Sequence, residues 1–124
     1  MIDTFRFRQF KVYKDAKTFR RLVVEMLNKF PMKGHFALQR QVDRASLSIV
    51  LNIAEGSAKR SDKEFARFLE ISIASANEVV AAFDIAQDDR IITQEDFDLI
   101  EKEAANVVKQ LSGFKKTLLP PAEL

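Results

Sequence analysis

Apolar residues recur at alternating steps of three and four along most of this 124-residue chain. Side chains at that spacing lie on one face of an α-helix. The pattern falls into four segments, and the positions on its stripe are Val12, Ala16, Phe19, Val23, Met26 and Phe30; Leu38, Val42, Ala45, Ile49 and Asn52 or Ile53; Phe65, Leu69, Ser72, Ala76, Val79, Phe83 and Ala86; and Phe97, Ile100, Ala104, Val107, Leu111, Phe114 and Leu118. Four helices of about 18–25 residues with short connections predict an all-α, up-down-up-down antiparallel four-helix bundle.

The breaks between the segments predict how the chain is organised. Pro31 and Gly34 separate the first two segments, and two prolines follow the fourth. We therefore expect a single four-helix-bundle domain over residues 1–124, with an N-terminal arm at 1–10 and a C-terminal tail at 119–124.

Composition limits the classes of protein that the chain can be. It contains no cysteine, so it has no disulfide framework and no thiolate chemistry, which fits a reducing cytosol. No apolar run approaches the roughly 20 residues of a membrane span, and the first residues lack the apolar stretch of a signal peptide. We expect a soluble, cytoplasmic protein that has no membrane partner.

The boundary between the second and third segments carries the clearest local signals. The run Ser48–Gly56 is almost continuously apolar, which predicts a helix buried on more than one side. Gly56 is expected to end that helix, because glycine adopts the left-handed conformation at low cost. Ser61 and Glu64 have the spacing of a capping box and predict the start of the next helix. Thr93 is the expected N-cap of the fourth helix.

Two polar residues interrupt the apolar run. Asn52 lies on the stripe, and a buried asparagine there is expected to fix register and assembly state. Glu55 lies near the helix end, where we expect its carboxylate to accept hydrogen bonds from backbone donors or an arginine. A polar active centre is the alternative interpretation, and the structural one is favoured.

The second segment is also apolar away from its stripe. Leu47, Val50 and Leu51 lie off the main face. One bundle core does not cover every side of one helix, so these residues predict an oligomer interface.

Charge is distributed unevenly along the chain. Residues 1–60 hold 13 Lys and Arg against 5 Asp and Glu, whereas residues 61–124 hold 7 against 13. Such asymmetry predicts an anionic partner. The alternative is that the two halves neutralise each other within one molecule or between subunits, through acids such as Asp43, Glu70 and Asp84.

Helically spaced cations define the candidate nucleic-acid-binding residues. They are Lys14, Lys17, Arg20, Arg21, Arg40, Arg44, Lys59, Arg60, Lys63 and Arg67. Cations on adjacent helices bind phosphates and release counterions, which gives affinity without sequence recognition. The arm residues Phe5–Lys11 alternate aromatic and basic side chains, and we expect the phenylalanines to dock the arm onto the bundle rather than to stack on bases.

The usual catalytic and metal-binding patterns are absent from the sequence. His35 is the only histidine, so zinc and di-iron carboxylate sites are not expected. There is no glycine-rich phosphate loop, and the serines lack a recognisable base or nucleophile elbow. We expect neither an enzyme nor a cofactor.

Several of these stretches carry a family resemblance. They are Phe10–Ala16, Ser48-Ile49, Asn52–Gly56, Ser61–Leu69, Asn77-Glu78, Leu111–Phe114 and Leu118. Together they resemble the four-helix-bundle proteins encoded by intervening sequences of 23S rRNA genes. The chain departs from the family pattern at Tyr13, where tryptophan is usual, at Val50 and Leu51, where proline or a small residue is common, and at Ala74 or Ser75, where the family often has a glycine.

The resemblance implies a four-helix bundle that often assembles as a homopentamer. Members are labelled ribosomal-protein-like, and a relative in diversity-generating retroelements assists a reverse transcriptase and is associated with nucleic acid. No established catalytic activity is implied. We therefore predict a non-enzymatic homo-oligomer that contacts RNA or single-stranded nucleic acid. The alternative is a protein-binding scaffold or an accessory subunit of a polymerase-like protein.

Overall fold

A computed structural model describes residues 3–31, 33–119 and 121. Four helices make up this part of the chain: α1 (Lys11–Leu27), α2 (Phe36–Ser57), α3 (Asp62–Asp88) and α4 (Gln94–Leu118). A short 3-10 helix at Arg6–Gln9 precedes them, and the described residues contain no strand. The predicted all-helical, four-helix fold is confirmed. Most of the predicted C-terminal tail lies outside the described residues.

Each helix contacts two neighbours. α1 packs on α2 and α4, and α3 packs on the same two helices. Side-chain contacts join opposite ends of neighbouring helices, as antiparallel packing requires. Lys29 near the end of α1 pairs with Asp96 at the start of α4, and Lys115 near the end of α4 pairs with Glu70 in the first half of α3.

The core consists of the stripes that the sequence predicts. Phe65, Leu69 and Phe83 of α3 are fully or almost fully buried, as are Ile49 and Ile53 of α2. Ile53, rather than Asn52, occupies the fully buried position in that turn. Each such apolar side chain contributes about 1.5–3 kcal/mol on burial, so the stripes supply most of the driving force for folding.

Helix N-termini follow the predicted caps. Ser61 Oγ accepts a hydrogen bond from the Glu64 N–H at 3.1 Å, and Thr93 Oγ1 accepts one from the Asp96 N–H at 3.0 Å. Each bond satisfies a backbone donor that the first turn of a helix would otherwise leave unpaired.

The prediction that Gly56 ends α2 is wrong. Gly56 lies inside the helix, which continues to Ser57, and Ala58 is the C-cap in a right-handed conformation. Gly56 is instead buried against α3, where a Cβ would lie 2.8 Å from Phe65 Cδ1 and 2.8 Å from Phe68 Cβ. The glycine therefore allows two helices to approach closely. Positive φ values occur instead at Gly34 (87°) and His35 (59°), just before α2, and at Arg90 (61°), just after α3.

Candidate nucleic-acid interface

One end of the bundle collects half of the chain's lysines and arginines. The N-terminal arm with the start of α1 (5–14), the end of α2 with the start of α3 (55–67), and the end of α4 (114–119) meet there. We call this region the basic end, and it carries ten Lys and Arg against three Asp and Glu. At the opposite end, residues 24–36 and 82–101 carry three against eight. The fold thus converts an asymmetry along the sequence into one along the bundle axis.

A cluster of aromatic rings holds the basic end together. Phe10, Phe65 and Phe114 come from the arm, α3 and α4, and their ring centroids lie 5.1–6.2 Å apart. Arg6 covers this cluster, with its guanidinium carbon 5.7 Å from the Phe10 centroid and 5.5 Å from the Phe65 centroid. The same guanidinium donates two hydrogen bonds to the Ser57 carbonyl, at 2.9 and 3.2 Å. Arg6 thereby anchors the arm to the C-terminus of α2, where a cation is favourable.

The cations on the outside of this end remain accessible. Lys59, Arg60, Lys63 and Arg67 follow one another around the α2–α3 turn, and none forms an ion pair within the described part of the chain. The Lys59 ammonium lies 4.8 Å from the Phe68 ring centroid, which orients it without neutralising it.

A second group of predicted cations lines a groove between α1 and α2. Lys17, Arg20 and Arg21 lie on its rim, and Leu47 and Leu51 contribute to its wall. Arg20 donates to Asp43 at 2.7 Å, and the Lys17 ammonium sits over the Tyr13 ring at 4.9 Å.

The ten predicted cations do not form one continuous face. Five of them lie at the basic end, with Lys14 at its edge on α1, whereas Arg40 and Arg44 extend along α2 towards the opposite, acidic end. Of the three acids expected to neutralise them, only Asp43 does so, by pairing with Arg20; Glu70 pairs with Lys115. In the described residues Asp84 forms no ion pair.

Two carboxylates, Asp15 and Asp96, have lowered pKa values and pair with lysines; the partner of Asp15, Lys11, belongs to the basic end. Asp15 Oδ2 accepts hydrogen bonds from Lys11 at 2.6 Å and Gln110 at 2.7 Å, and these bonds lower its pKa. The Lys29 ammonium likewise lowers the pKa of Asp96 at the acidic end. Both acids are ionised at neutral pH. Each links α4 to α1 or to the residues that follow α1: Asp15 through Gln110, and Asp96 through Lys29.

The two polar residues in the apolar run of α2, Asn52 and Glu55, differ in burial and in hydrogen bonding. Asn52 is half-buried and its amide donates to the Ser48 carbonyl at 2.8 Å and to Ser48 Oγ at 2.9 Å. Ser48 Oγ in turn lies 2.9 Å from Ser75 Oγ on α3, so the asparagine belongs to a polar link between two helices. Glu55 does not have the expected partners. Its side chain is exposed, and its carboxylate forms no hydrogen bond or ion pair with the described residues.

The predicted oligomer interface divides into two parts. Leu47 and Leu51 are exposed, the latter by 53%, whereas Val50 is only 6% exposed and packs in the core. Val50 was therefore wrongly assigned to a free surface, because its position on α2 turns it towards α1. The two leucines leave apolar area uncovered in the single chain.

The described residues also bear on two other features: membrane-spanning helices and metal sites. Across the described ranges, no helix is long and apolar enough to cross a membrane. Nor does that part of the chain contain three or more His, Cys, Asp or Glu grouped as metal ligands.

Comparison with known proteins identifies the family. The model of the 23S rRNA-intervening sequence protein family matches residues 8–113. The chain belongs to this family. No curated protein sequence matches it.

A solved structure shows the same fold as this 23S rRNA-intervening sequence protein. It is a crystal structure of a protein with unknown function from the S23 ribosomal protein family, from Bacteroides thetaiotaomicron VPI-5482. The two chains are 24% identical with a TM-score of 0.79, and the match covers 85% of this chain and 98% of that one. At this identity the likeness establishes the architecture alone.

The structure adds cations to the basic end that sequence reasoning left out of the candidate set. Arg6 and Arg8 belong to the arm, and Lys115 and Lys116 come from the otherwise acidic second half of the chain. Antiparallel packing brings the end of α4 beside the start of α1. All four lie next to a helix end. The spacing of cations within one helix does not reveal them, because they meet only when the helix ends are brought together.

Proposed function

We propose that this family member is a non-catalytic, self-associating bundle that binds RNA or single-stranded nucleic acid through its basic end. The observation that carries the proposal is the excess of unneutralised cations there. Lys59, Arg60 and Lys63 are exposed or half-exposed and lack ion pairs with the described residues. Because they surround one helix–helix turn, a phosphate backbone that crosses this end contacts several of them at once.

The affinity that this arrangement supplies is electrostatic. Ammonium and guanidinium groups that contact phosphates fix the position of a strand but do not identify its bases. Phe5 is 58% exposed in the arm, beside Phe7 at a centroid distance of 6.3 Å, and offers one ring on which a base can stack. We therefore expect weak sequence preference and strong dependence on salt.

The test is fluorescence anisotropy with a labelled 20-nucleotide uridylate RNA at several salt concentrations. The double variant Lys59→Gln and Arg60→Gln should bind more weakly, and the slope of log affinity against log salt should fall by about 1.4, because about 0.7 is lost for each phosphate contact on a single strand. The matched control is Lys33→Gln with Lys102→Gln, which removes two cations outside the basic end. Equal losses in both variants would overturn the assignment of the site.

A second set of variants separates the two groups of cations. Replacement of Lys14, Lys17 and Arg21 with glutamate tests the α1 face in the same assay. Retained RNA binding would restrict the interface to the cations of the α2–α3 turn, and complete loss would extend it along α1.

The alternative is a protein-binding scaffold or accessory subunit that does not bind nucleic acid. The exposed leucines of α2 support it, because they offer apolar contact area. Added salt distinguishes the two functions. Nucleic-acid binding weakens steeply, whereas association through apolar surface is maintained or strengthened.

A further inference from the structure

The outward faces of α2 and α3 carry two matching stripes. The α2 outer stripe consists of Phe36, Arg40, Arg44, Leu47, Leu51 and Glu55, at steps of four, four, three, four and four. All six residues are exposed, and they include the most exposed apolar side chains of the helices, Phe36 at 58% and Leu51 at 53%. Side chains at these steps share one helical face, so the stripe is a continuous surface.

The α3 outer stripe has the spacing of a heptad seam. It consists of Arg67, Ile71, Ala74, Glu78, Ala81 and Ile85, at steps of four, three, four, three and four. All six are exposed, and Ile71 and Ile85 are among the large apolar residues left uncovered. This helix therefore has two seams: one forms the core of the bundle and the other faces outwards. A regular apolar seam on each side of a helix is the pattern of a helix that packs on two partners.

Contacts inside the molecule set the alignment of the two stripes. Ser72 Oγ donates to the Ile49 carbonyl at 2.9 Å, and Gly56 abuts Phe65. Counting about 1.5 Å per residue from these contacts gives the depth of every other residue along the bundle axis. Five of the six pairs at equal depth match in character: Leu51 with Ile71, Leu47 with Ala74, Phe36 with Ile85, Glu55 with Arg67, and Arg44 with Glu78. The sixth places Arg40 level with Ala81.

We propose that a second copy of the chain covers these stripes. The two bundles lie side by side with their axes pointing the same way, so the α3 outer stripe of one copy packs antiparallel to the α2 outer stripe of the other. This inference rests on the self-association that is part of the proposed function. In that orientation the large apolar residues meet apolar or small ones and each acid meets a base, while Arg40 meets the small residue Ala81. The opposite orientation would place Phe36 against Arg67 and Glu55 against Ile85.

The pairing gives Glu55 a partner that the single chain lacks. Its carboxylate is exposed near the basic end and forms no hydrogen bond to the described residues. At the same depth, Arg67 forms no ion pair in the described part of the chain. Complementary charges that flank apolar contacts set the register and partner choice of helix pairs, as at the edges of coiled-coil seams.

Sedimentation velocity of the full chain without nucleic acid tests the two faces. Leu51→Asp and Ile71→Asp should each raise the dissociation constant for self-association at least about tenfold, because each places a charge in an apolar contact. Leu99→Asp is the matched control: Leu99 is a similarly exposed apolar residue on α4, outside both stripes, and its replacement should leave assembly unchanged. Circular dichroism checks that each variant keeps its helices.

Charge exchange tests this antiparallel register and does not depend on the apolar variants. Arg44→Glu alone and Glu78→Arg alone should each weaken assembly about threefold or more, and the double variant should regain it, because exchanged charges still attract. If the loss of association free energy in the double variant equals the sum of the losses in the two single variants, the register is overturned. Assembly unaffected by Leu51→Asp and Ile71→Asp would overturn the faces while leaving self-association intact. A monomeric wild-type chain would overturn both, and RNA binding at the basic end would still be measurable.

Discussion

The backbone of Gly56 lies so close to the ring of Phe65 that a methyl group on the glycine would lie only 2.8 Å from Cδ1. Van der Waals contacts between carbon atoms are optimal at about 3.5–4.0 Å, so the two helices meet where only a residue without a side chain fits. This contact fixes the separation of α2 and α3 at the basic end and thereby positions the turn that carries Lys59 and Arg60.

Gly56→Ala should destabilise the protein by about 1–3 kcal/mol, less a gain of up to about 1 kcal/mol in helix propensity. Gly113→Ala is the control, because Gly113 is also helical and nothing lies within 4 Å of its added Cβ. That variant should be more stable than wild type by about 0.5–1 kcal/mol. Urea unfolding measures both, and two changes of the same sign would contradict the steric explanation.

Ser72 predicts a second, smaller effect at the same helix pair. Its buried hydroxyl donates to the Ile49 carbonyl of α2. Ser72→Ala should cost about 1 kcal/mol from the lost hydrogen bond. Ser72→Val should cost about 1–3 kcal/mol because the extra methyl groups overpack the contact. Thermal unfolding of both variants tests this order, and a valine variant as stable as wild type would show that α2 and α3 separate easily.

Arg6 and Arg8 have the same charge but different contacts. Arg6 donates to the Ser57 carbonyl and covers the Phe10 and Phe65 rings, whereas the side chain of Arg8 has no hydrogen bond or ion pair with the described residues. Arg6→Ala should lower the free energy of unfolding by about 1–3 kcal/mol. Arg8→Ala should change it by less than about 0.5 kcal/mol. Chemical denaturation of the two variants measures the difference, and equal losses would mean that net charge, rather than contact, holds the arm.

The Asp96–Lys29 pair predicts how stability depends on pH. The Lys29 ammonium lies 2.9 Å from Asp96 and lowers the pKa of that carboxyl below its ordinary value of 3.8. The unfolded chain therefore takes up the proton first as pH falls. The stabilisation is complete above the ordinary pKa of 3.8 and disappears as pH falls through the lower folded value.

Asp96→Asn should accordingly be less stable than wild type by up to about 1 kcal/mol at pH 7, and the gap should narrow towards pH 3. Glu95→Gln is the control, since this neighbouring acid in the first turn pairs with no cation in the described residues. Its deficit should stay within the few tenths of a kcal/mol that the helix dipole supplies. Unfolding curves at several pH values compare them, and a gap of constant size for Asp96→Asn would exclude the ion pair as its cause.

The stripes allowed the fold to be predicted, because burial of an apolar face depends on local spacing. Ile49, Leu69 and Leu111 lie in the core as that spacing requires. Gly56 was misinterpreted for the opposite reason: its role depends on a ring that follows nine residues later on another helix. Spacing alone also predicts that Val50 lies outside the core. Val50 is buried because α2 contacts α1 as well as α3, and the sequence pattern of α2 does not show where α1 lies.

The candidate interface was only partly predictable. Cations on one helix, such as Lys63 and Arg67, follow from the sequence, and these two line one groove. That the end of α4 contributes Lys115 and Lys116 to the same region follows only from antiparallel packing. The outward seam of α3 is not evident from the sequence. Arg67 begins it and Glu78 interrupts its apolar residues, so it resembles an ordinary solvated helix face.

Segregation of opposite charges at the two extremities gives the molecule a large electric dipole along its long axis. In the field of a polyelectrolyte such a body experiences a torque before any contact, so most collisions occur with the positive pole in front. This alignment raises the fraction of productive encounters rather than the lifetime of the complex. The alignment is strongest at low ionic strength, because the screening length of about 30 Å at 0.01 M is comparable with the roughly 40 Å that the 27 residues of α3 span at 1.5 Å each, and it weakens as that length falls to about 8 Å at physiological ionic strength.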